Sequence, residues 1–453
     1  MARQNLENEE LGGIIRAKIN DNFSELYGNA GLVTSVQPTI SSDFEKNDHK
    51  LYEQYGLEPK TITQMYNVVR ASTATYVDAT GKIRTAGVNE PRIDHLGNGV
   101  GKLLVEEQRT NLITWSEDFS NSAWVKTRST IVSNATVAPD GNLTADKLVE
   151  TIDIGGHHIR PPDVPSAQFN TGAKYQLTFF VKAGELSSVR LRSLLATGGA
   201  GGGGFILDLN DGTLTRTGAV AGIESILEPY PNGWWRFGLD ITIQDGSQSL
   251  VFQIDTESLE AGDGTSGIYI WGAQLEQGST PSSYIPTQAS AVTRLADNVS
   301  RVLGEEFNNN EGTWFLEIGG NIVPNSASNF GRIYSLDDGT SANRIYAIRR
   351  MNSAYNFYIV ANSIQQDSNT MLSLGQINKV AVVYSKANNT CATYVDGVLR
   401  NSGTFAGFSS NLTGVGLGAL TTGGAAIGRI KFKNATFYPK ALSEQECIEL
   451  TKV

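Results

Sequence analysis

RTNLITWSEDFSNSAW, Arg109 to Trp124, is the stretch whose reading decides the fold. It follows LLVEEQ (Leu103–Gln108) and precedes a long Gly-rich region of short apolar runs. Trp115 and Trp124 flank an acidic, Ser/Asn-rich turn. Three readings compete: the lip of an active site, a platform for a sugar ring, or the entry to a β-sandwich. No catalytic constellation accompanies the stretch, and what lies downstream reads as strands.

From about 114 to 288, KYQLTFFVKAG, SVRLRSLLA, GGFILDLNDGTL, GWWRFGLDITIQ, QSLVFQIDT and SGIYIWGAQLEQG are strand-length runs divided by Gly, Asp, Asn and Ser. Such spacing predicts an antiparallel sandwich or jelly roll over 114–290. ATGGAGGGGF (Ala196–Phe205) lacks a following Gly-Lys-Ser/Thr and opens a strand, so it is a loop and not a phosphate cradle. The pattern recurs from 300, where YVDGVLR signals a hairpin, and predicts a second sandwich over 300–453. The chain closes on a helix with Ser443 as N-cap and Glu446 three residues on, a capping box.

Upstream, ATYVD and KIRT around Ala79-Thr80-Gly81 predict a hairpin within a segment, 65–113, that leads into the first sandwich. Residues 31–64 are polar and mixed and read as a connector, with a short helix carrying Leu51, Tyr52 and Tyr55 and ended by Pro59. In 1–30, Leu11, Ile15, Ile19, Phe23 and Leu26 recur at helical spacing on one face. One short amphipathic helix cannot bury that face alone, which predicts homotrimerisation or packing into a neighbouring protein. The expected fold class is therefore mainly β: two antiparallel β-sandwich (jelly-roll) domains preceded by a short N-terminal helical attachment segment.

Of 453 residues, 40% are hydrophobic, 18% charged and 48 are Gly, a composition for short strands and many turns. A net charge of −10 without a dense Lys/Arg run argues against nucleic acid as a partner. No apolar run approaches the ~20 residues of a membrane-spanning helix, and MARQNLENEELGG lacks the basic and apolar regions of a secretory signal, so no membrane insertion and synthesis in a reducing cytoplasm are expected. Cys391 and Cys447 are too few for a disulfide framework or a Cys-rich zinc site.

ASTATYVDATGKIRTAGVNEPRIDH and LLVEEQRTNLITWSEDFSNSAW, followed by TADKL, NGWWRF and IYIWGAQLEQGSTPSSYIPT, resemble blocks of bacteriophage tail-fibre and minor virion proteins that lead into a carbohydrate-binding-module-like jelly roll. IRAKINDNFSELYGN looks like the short helix that opens such proteins, and YVDGVLRNSG with IKFKNATFYPKALSEQECIEL looks like a laminin-G or concanavalin-A-like domain. The resemblance covers most of the chain and is weakest at 30–64. It implies a virion structural protein, above all a tail fibre or receptor-binding protein, docked by its N-terminus to other virion proteins and contacting host surface polysaccharide. It implies equally a non-adhesive head-fibre, decoration, collar or baseplate component, and a capsule depolymerase is the third reading.

Candidate sugar contacts are Trp234, Trp235, Trp115 and Trp124, since an aromatic plane suits the C–H face of a pyranose; alternation sends Trp234 and Trp235 to opposite faces. Trp in a sandwich is more often core, and Trp271 reads so. Hydrolysis of a glycoside needs two facing carboxylates. Glu106, Glu107, Glu117, Asp118, Glu317, Asp337 and Asp338 form no recognisable motif, and an ion pair with Arg109 is the plainer role for Glu106 or Glu107. Not an enzyme is the expectation. His49, His95, His157 and His158 show no metal-ligand spacing. No cofactor is expected; the one cation weighed is Ca²⁺, for which SLDDGTSAN (Ser335–Asn343) and DTESLEAGDGTSG (Asp255–Gly267) have the oxygens, although Asp/Gly-rich loops are usually turns.

Overall fold

A computed structural model describes residues 36–453 except 54–55, 163, 165–168, 194–202, 219–222, 244–251, 257–259, 321–329, 351–353, 366–371, 374–377, 420 and 422–427. The helix expected at 7–27, with Leu11, Ile15, Ile19, Phe23 and Leu26, lies outside the described residues. The described chain is mainly β, in several antiparallel sheets with few helical residues.

Two six-stranded sheets share one core. Lys174–Ala183 runs between Trp234–Thr242 and Gly267–Gln277 near the middle of the first. Its alternation sends Tyr175, Leu177, Phe179 and Val181 inward, where they meet Val189, Leu191, Leu207 and Ile254 of the second sheet. Gln176, Thr178 and Phe180 point the other way and are also buried, so this sheet is covered on both faces. Over Phe180 lies a satellite cluster with Trp234, Trp271, Tyr284, Val77 and Ile83, the last two from the hairpin Ala74–Val77/Ile83–Ala86 that the sequence predicts.

A ten-stranded and an eight-stranded sheet enclose a second, larger core. Its membership corrects the reading of 31–64 as a connector. Ile40–Asp43, Asp48–Glu53 and Gly56–Lys60 are successive strands, and Ile40 pairs with Phe437 of Arg429–Tyr438. Ile40 and Phe44 are fully buried in that core. The helix expected around Leu51 and Tyr52 is strand instead. Runs this short fit either period, and the turn before Asp48, with Asn47 at φ 52°, selects the hairpin. The segment 65–113 also divides its allegiance. Lys102–Glu106 pairs with Arg429–Tyr438, and Asn67–Val69 pairs with Asn298–Val302. The six-stranded pair is thus inserted, in sequence, within the larger core.

Two local expectations hold. Asp396 and Gly397, both at positive φ, turn Thr390–Val395 into Val398–Gly403. Ser443 and Glu446 form the capping box of the helix Glu444–Thr451. Cys391 and Cys447 are buried free thiols.

Candidate functional site

Arg109–Trp124 proves to be a seam. The Asn111 amide donates to the carbonyls of Ala273 (3.0 Å) and Ile285 (2.9 Å) and accepts from the Leu275 amide (3.0 Å). Ser116 and Thr287 bond reciprocally, and the Thr287 hydroxyl donates to the Ile113 carbonyl at 2.6 Å. The stretch is thereby stitched to GAQLEQGSTPSSYIPT, so two separate sequence blocks are one structural unit.

The four candidate tryptophans divide. Trp124 and Trp234 are 1% and 2% exposed and offer no face to a sugar ring. Trp124 Nε1 donates to the Trp115 carbonyl and Trp234 Nε1 to the Val137 carbonyl. Trp115 and Trp235 are half-buried against the core of the six-stranded pair, and Trp235 Nε1 donates to the Leu209 carbonyl. Trp234 and Trp235 do lie on opposite faces, as alternation requires, but each face is packed. Trp271 is core.

The carboxylates do not converge on a cleft. Glu106 is buried at the junction of the two cores, bonded to Arg92 (2.7 Å) and to the amide and hydroxyl of Ser283 (2.9 and 2.7 Å), with Arg429 at 3.3 Å and Arg294 at 3.7 Å. Asp297 joins the same knot through Arg70 (2.8 Å) and Arg92 (2.5 Å). Burial alone would raise the Glu106 carboxyl; the charges of Arg294, Arg92 and Arg429 outweigh it and hold the group well below the usual range. A carboxyl so depressed does not serve as a general acid. Glu107 pairs with Arg109, the plain role foreseen for it. Burial raises Glu117, which accepts from the Tyr284 hydroxyl at 3.1 Å. Asp118 accepts within its own turn, and Glu317 pairs with Lys433 at 3.3 Å.

The described Asp side chains of the two loops with oxygens for Ca²⁺ accept from nearby protein donors. Asp337 accepts from Ser335 and Gly339, and Asp338 accepts from Thr340, Asn343 and Ser410. Asp263 accepts from Thr265 and Ser266, while Asp255 is held by Arg190. His157 is locked between the Arg128 and Glu260 carbonyls. Among the described residues, no group of three His, Cys, Asp or Glu side chains is placed to hold a metal.

One cavity has the size and chemistry of a binding groove. About 670 Å³ lies between the outward face of the first six-stranded sheet and the ten-stranded sheet. Strand register explains its floor: Gln176, Asp240, Ile226 and Glu228 are outward positions on three neighbouring strands. The opposite wall carries Lys102, Lys431, Arg429 and Gly320. Asp240 accepts from Lys174 and Gln176, both at 2.8 Å. Gln176 is fully buried, and its side-chain oxygen has no hydrogen-bond partner. Burial, and then the charges of Lys431 and Lys433, lower the Lys102 ammonium. The groove therefore offers acceptors on one wall, cations on the other and apolar surface from Ile226, Leu227 and Pro229 between them. None of these residues stands out in the sequence. The usable signal is a polar residue at an outward position of an otherwise apolar strand, as Gln176 is in KYQLTFFV and Asp240 in GLDIT.

No family model matches the chain, and no curated protein matches it. Solved structures overlap parts of it. The leech intramolecular trans-sialidase aligns with 32% of this chain at 17% identity and a TM-score of 0.26, and the overlap spans only 24% of that enzyme. The carbohydrate-binding module CBM40 of the Ruminococcus gnavus IT-sialidase, bound to α2,3-sialyllactose, aligns with 32% of this chain and 84% of its own at 14% identity and a TM-score of 0.25. Domains LG4-5 of the mouse laminin α1 chain align with 64% of this chain and 89% of their own at 10% identity and a TM-score of 0.21. Overlaps this loose fix neither a shared fold for the whole chain nor a shared activity.

Proposed function

We propose that this chain is a glycan-binding β-sandwich protein, and that the groove between the two cores holds the saccharide. The observation that carries the reading is the buried, unpartnered oxygen of Gln176 beside Asp240 on the floor of a cavity of about 670 Å³. Saccharide hydroxyls supply the donors that this oxygen lacks, and Lys102 and Lys431 supply donors to sugar oxygens. Ligand sites favour such positions at domain junctions. Binding without cleavage is part of the proposal.

The resemblance of residues 65–124 and 268–290 to tail-fibre blocks extends the proposal to place. The chain would be a bacteriophage tail fibre or receptor-binding protein, docked to other virion proteins by residues 1–30, trimeric, and weak per site but strong through multiple copies. The packed state of Trp124 and Trp234 favours a second reading, a non-adhesive virion component. One experiment separates them. A Cβ at Gly320 would meet nothing closer than Lys431 Cδ at 4.0 Å, so Gly320→Trp starts from open space on the groove wall. On an array of bacterial surface glycans the native chain should bind and Gly320→Trp should lose at least about tenfold, roughly 1.4 kcal/mol. Silence of the native chain across the array, with incorporation into virions retained, refutes the glycan reading.

A further inference from the structure

The eight-stranded sheet has an outward face that neither the groove nor the core uses. Strand register assigns its residues. Opposite the inward Tyr334, Ala347 and Phe357, the outward positions of Phe330–Asp337, Arg344–Arg350 and Ala354–Ala361 include Arg332, Arg344, Tyr346 and Tyr358. Tyr346 and Tyr358 are cross-strand partners whose rings stack at 4.5 Å and 12°. The Arg344 guanidinium lies 4.4 Å from the Tyr346 ring centre and that of Arg332 lies 5.6 Å from it, so both cations share one aromatic. Ile348 and Val360, both buried, pack beside the pair.

The chain carries a net charge of −10, and the arginines at the junction of the two cores are held by Glu106 and Asp297. Arg332 and Arg344 make no ion pair with any described carboxylate, although Asp337 sits on the same face. Asp337 is turned instead onto Ser335, Gly339 and Thr421. Arg332 is 8% exposed, and its Nε and Nη1 have no hydrogen-bond partner; the Nε of Arg344 has none either. A buried guanidinium with unpaired N–H groups costs free energy that a bound anion would recover. Burial, and then the charge of Arg344, lower the Arg332 guanidinium, and Tyr346 and Asp337 oppose that shift without cancelling it.

We propose that the Arg332–Arg344 pair, beside the stacked Tyr346 and Tyr358, is a second saccharide site, specific for a carboxylate-bearing sugar such as a hexuronate. Guanidinium N–H groups match a planar carboxylate in paired, charge-assisted hydrogen bonds. Tyr346, the partly exposed member of the stacked pair, offers aromatic surface to the C–H face of the ring that carries it. The proposal rests on the reading of the chain as a glycan binder but not on the groove: the two sites lie on different sheets and take different chemistry.

The test is calorimetric titration of the full chain with oligogalacturonate and with the same oligosaccharide as its methyl ester, which removes the charge and keeps the sugar. Oligogalacturonate should bind, weaken as ionic strength rises, and bind Arg344→Gln about tenfold or more less tightly. The methyl ester should not respond to Arg344→Gln. Arg344 is half-exposed, so this variant leaves the core intact, and thermal melting confirms that it folds. Arg332→Gln should reproduce the loss. Equal affinity for acid and ester, absence of oligogalacturonate binding, or affinity unchanged in both arginine variants overturns the site. If Gly320→Trp abolishes uronate binding and Arg344→Gln does not, the acid sits in the groove: this proposal falls and the groove reading stands. If neutral glycans fail on the array while Arg344-dependent uronate binding persists, the groove reading falls and this site stands.

Discussion

Glu106→Gln is the sharpest perturbation of the junction. The native carboxylate is 1% exposed and receives Arg92 and two groups of Ser283 within 2.9 Å, with Arg429 and Arg294 just beyond. Glutamine keeps the volume and removes the charge. Asp297 then remains to balance Arg70 and Arg92, while Arg294 and Arg429 lose their nearest carboxylate. One Gln oxygen still accepts from Ser283, but its amide N–H groups face guanidinium donors. Breaking a buried ion pair from one side costs about 3–5 kcal/mol, because the abandoned charges stay buried. At roughly 2–4 °C per kcal/mol, Tm should fall by about 6–20 °C, towards the lower end for a chain this long. The pH profile supplies a second reading. A carboxyl whose folded pKa is depressed contributes stability above its unfolded value of about 4.3 and loses it as pH falls through the lower folded value. Urea denaturation should therefore show a constant gap between native and Glu106→Gln proteins from pH 7 to 5, narrowing below about pH 4. A loss under about 1 kcal/mol, or a gap unchanged at pH 3, would refute the claim that Glu106 neutralises the knot.

Two further outcomes follow from packing and titration. Gly212 sits at φ +80° with a would-be Cβ 2.5 Å from the Trp235 ring, so Gly212→Ala should cost about 1–3 kcal/mol in urea denaturation and shift Trp235 fluorescence; an unchanged midpoint would contradict the close approach. Burial, and then Arg192, lower His158 to about 4. Because the unfolded histidine takes up its proton near pH 6.5 and the folded one does not, His158 should lower stability as pH falls from about 6.5 to about 4 and not above that window. His158→Gln should flatten the profile there, and an identical slope in both proteins would exclude the role.

What was legible in the sequence is what depends on neighbours in the chain. The hairpin around Gly81, the turn at Asp396-Gly397 and the capping box at Ser443 each rest on a few adjacent residues with fixed turn or cap chemistry. The alternation of Trp234 and Trp235 was legible too, but not that both faces of their strand are covered. Periodicity records which side a residue takes and not what lies on that side. For the same reason the tryptophans looked like sugar platforms while Gln176 and Asp240 looked like ordinary strand residues. The strands at 40–60 were missed because their partner, Arg429–Tyr438, is almost the whole chain away. Glu106 and Glu107 have Arg109 as their neighbour in sequence, whereas the cations around Glu106 come from 92, 294 and 429.

The long-range closure also bears on the groove. Its floor belongs to the inserted six-stranded sheet, and Lys102, Arg429 and Lys431 on its other wall belong to strands that pair with each other across more than three hundred residues. Neither wall can form the cavity alone. If two sheets met there only through a mobile linker, a ligand would have to spend binding energy on fixing their relative position. Instead, Glu106 and Asp297 hold arginines from both sides of the insertion, and the seam at Asn111 ties the crossing segment to the inserted sheet. The junction is thus set by buried charge before any saccharide arrives. Weakening it should therefore change groove affinity through the position of the walls and through Arg429, the groove side chain that Glu106 holds. Glu106→Gln should weaken glycan binding by the groove while leaving uronate binding at Arg332 and Arg344 unaltered, since that face is built within the eight-stranded sheet alone.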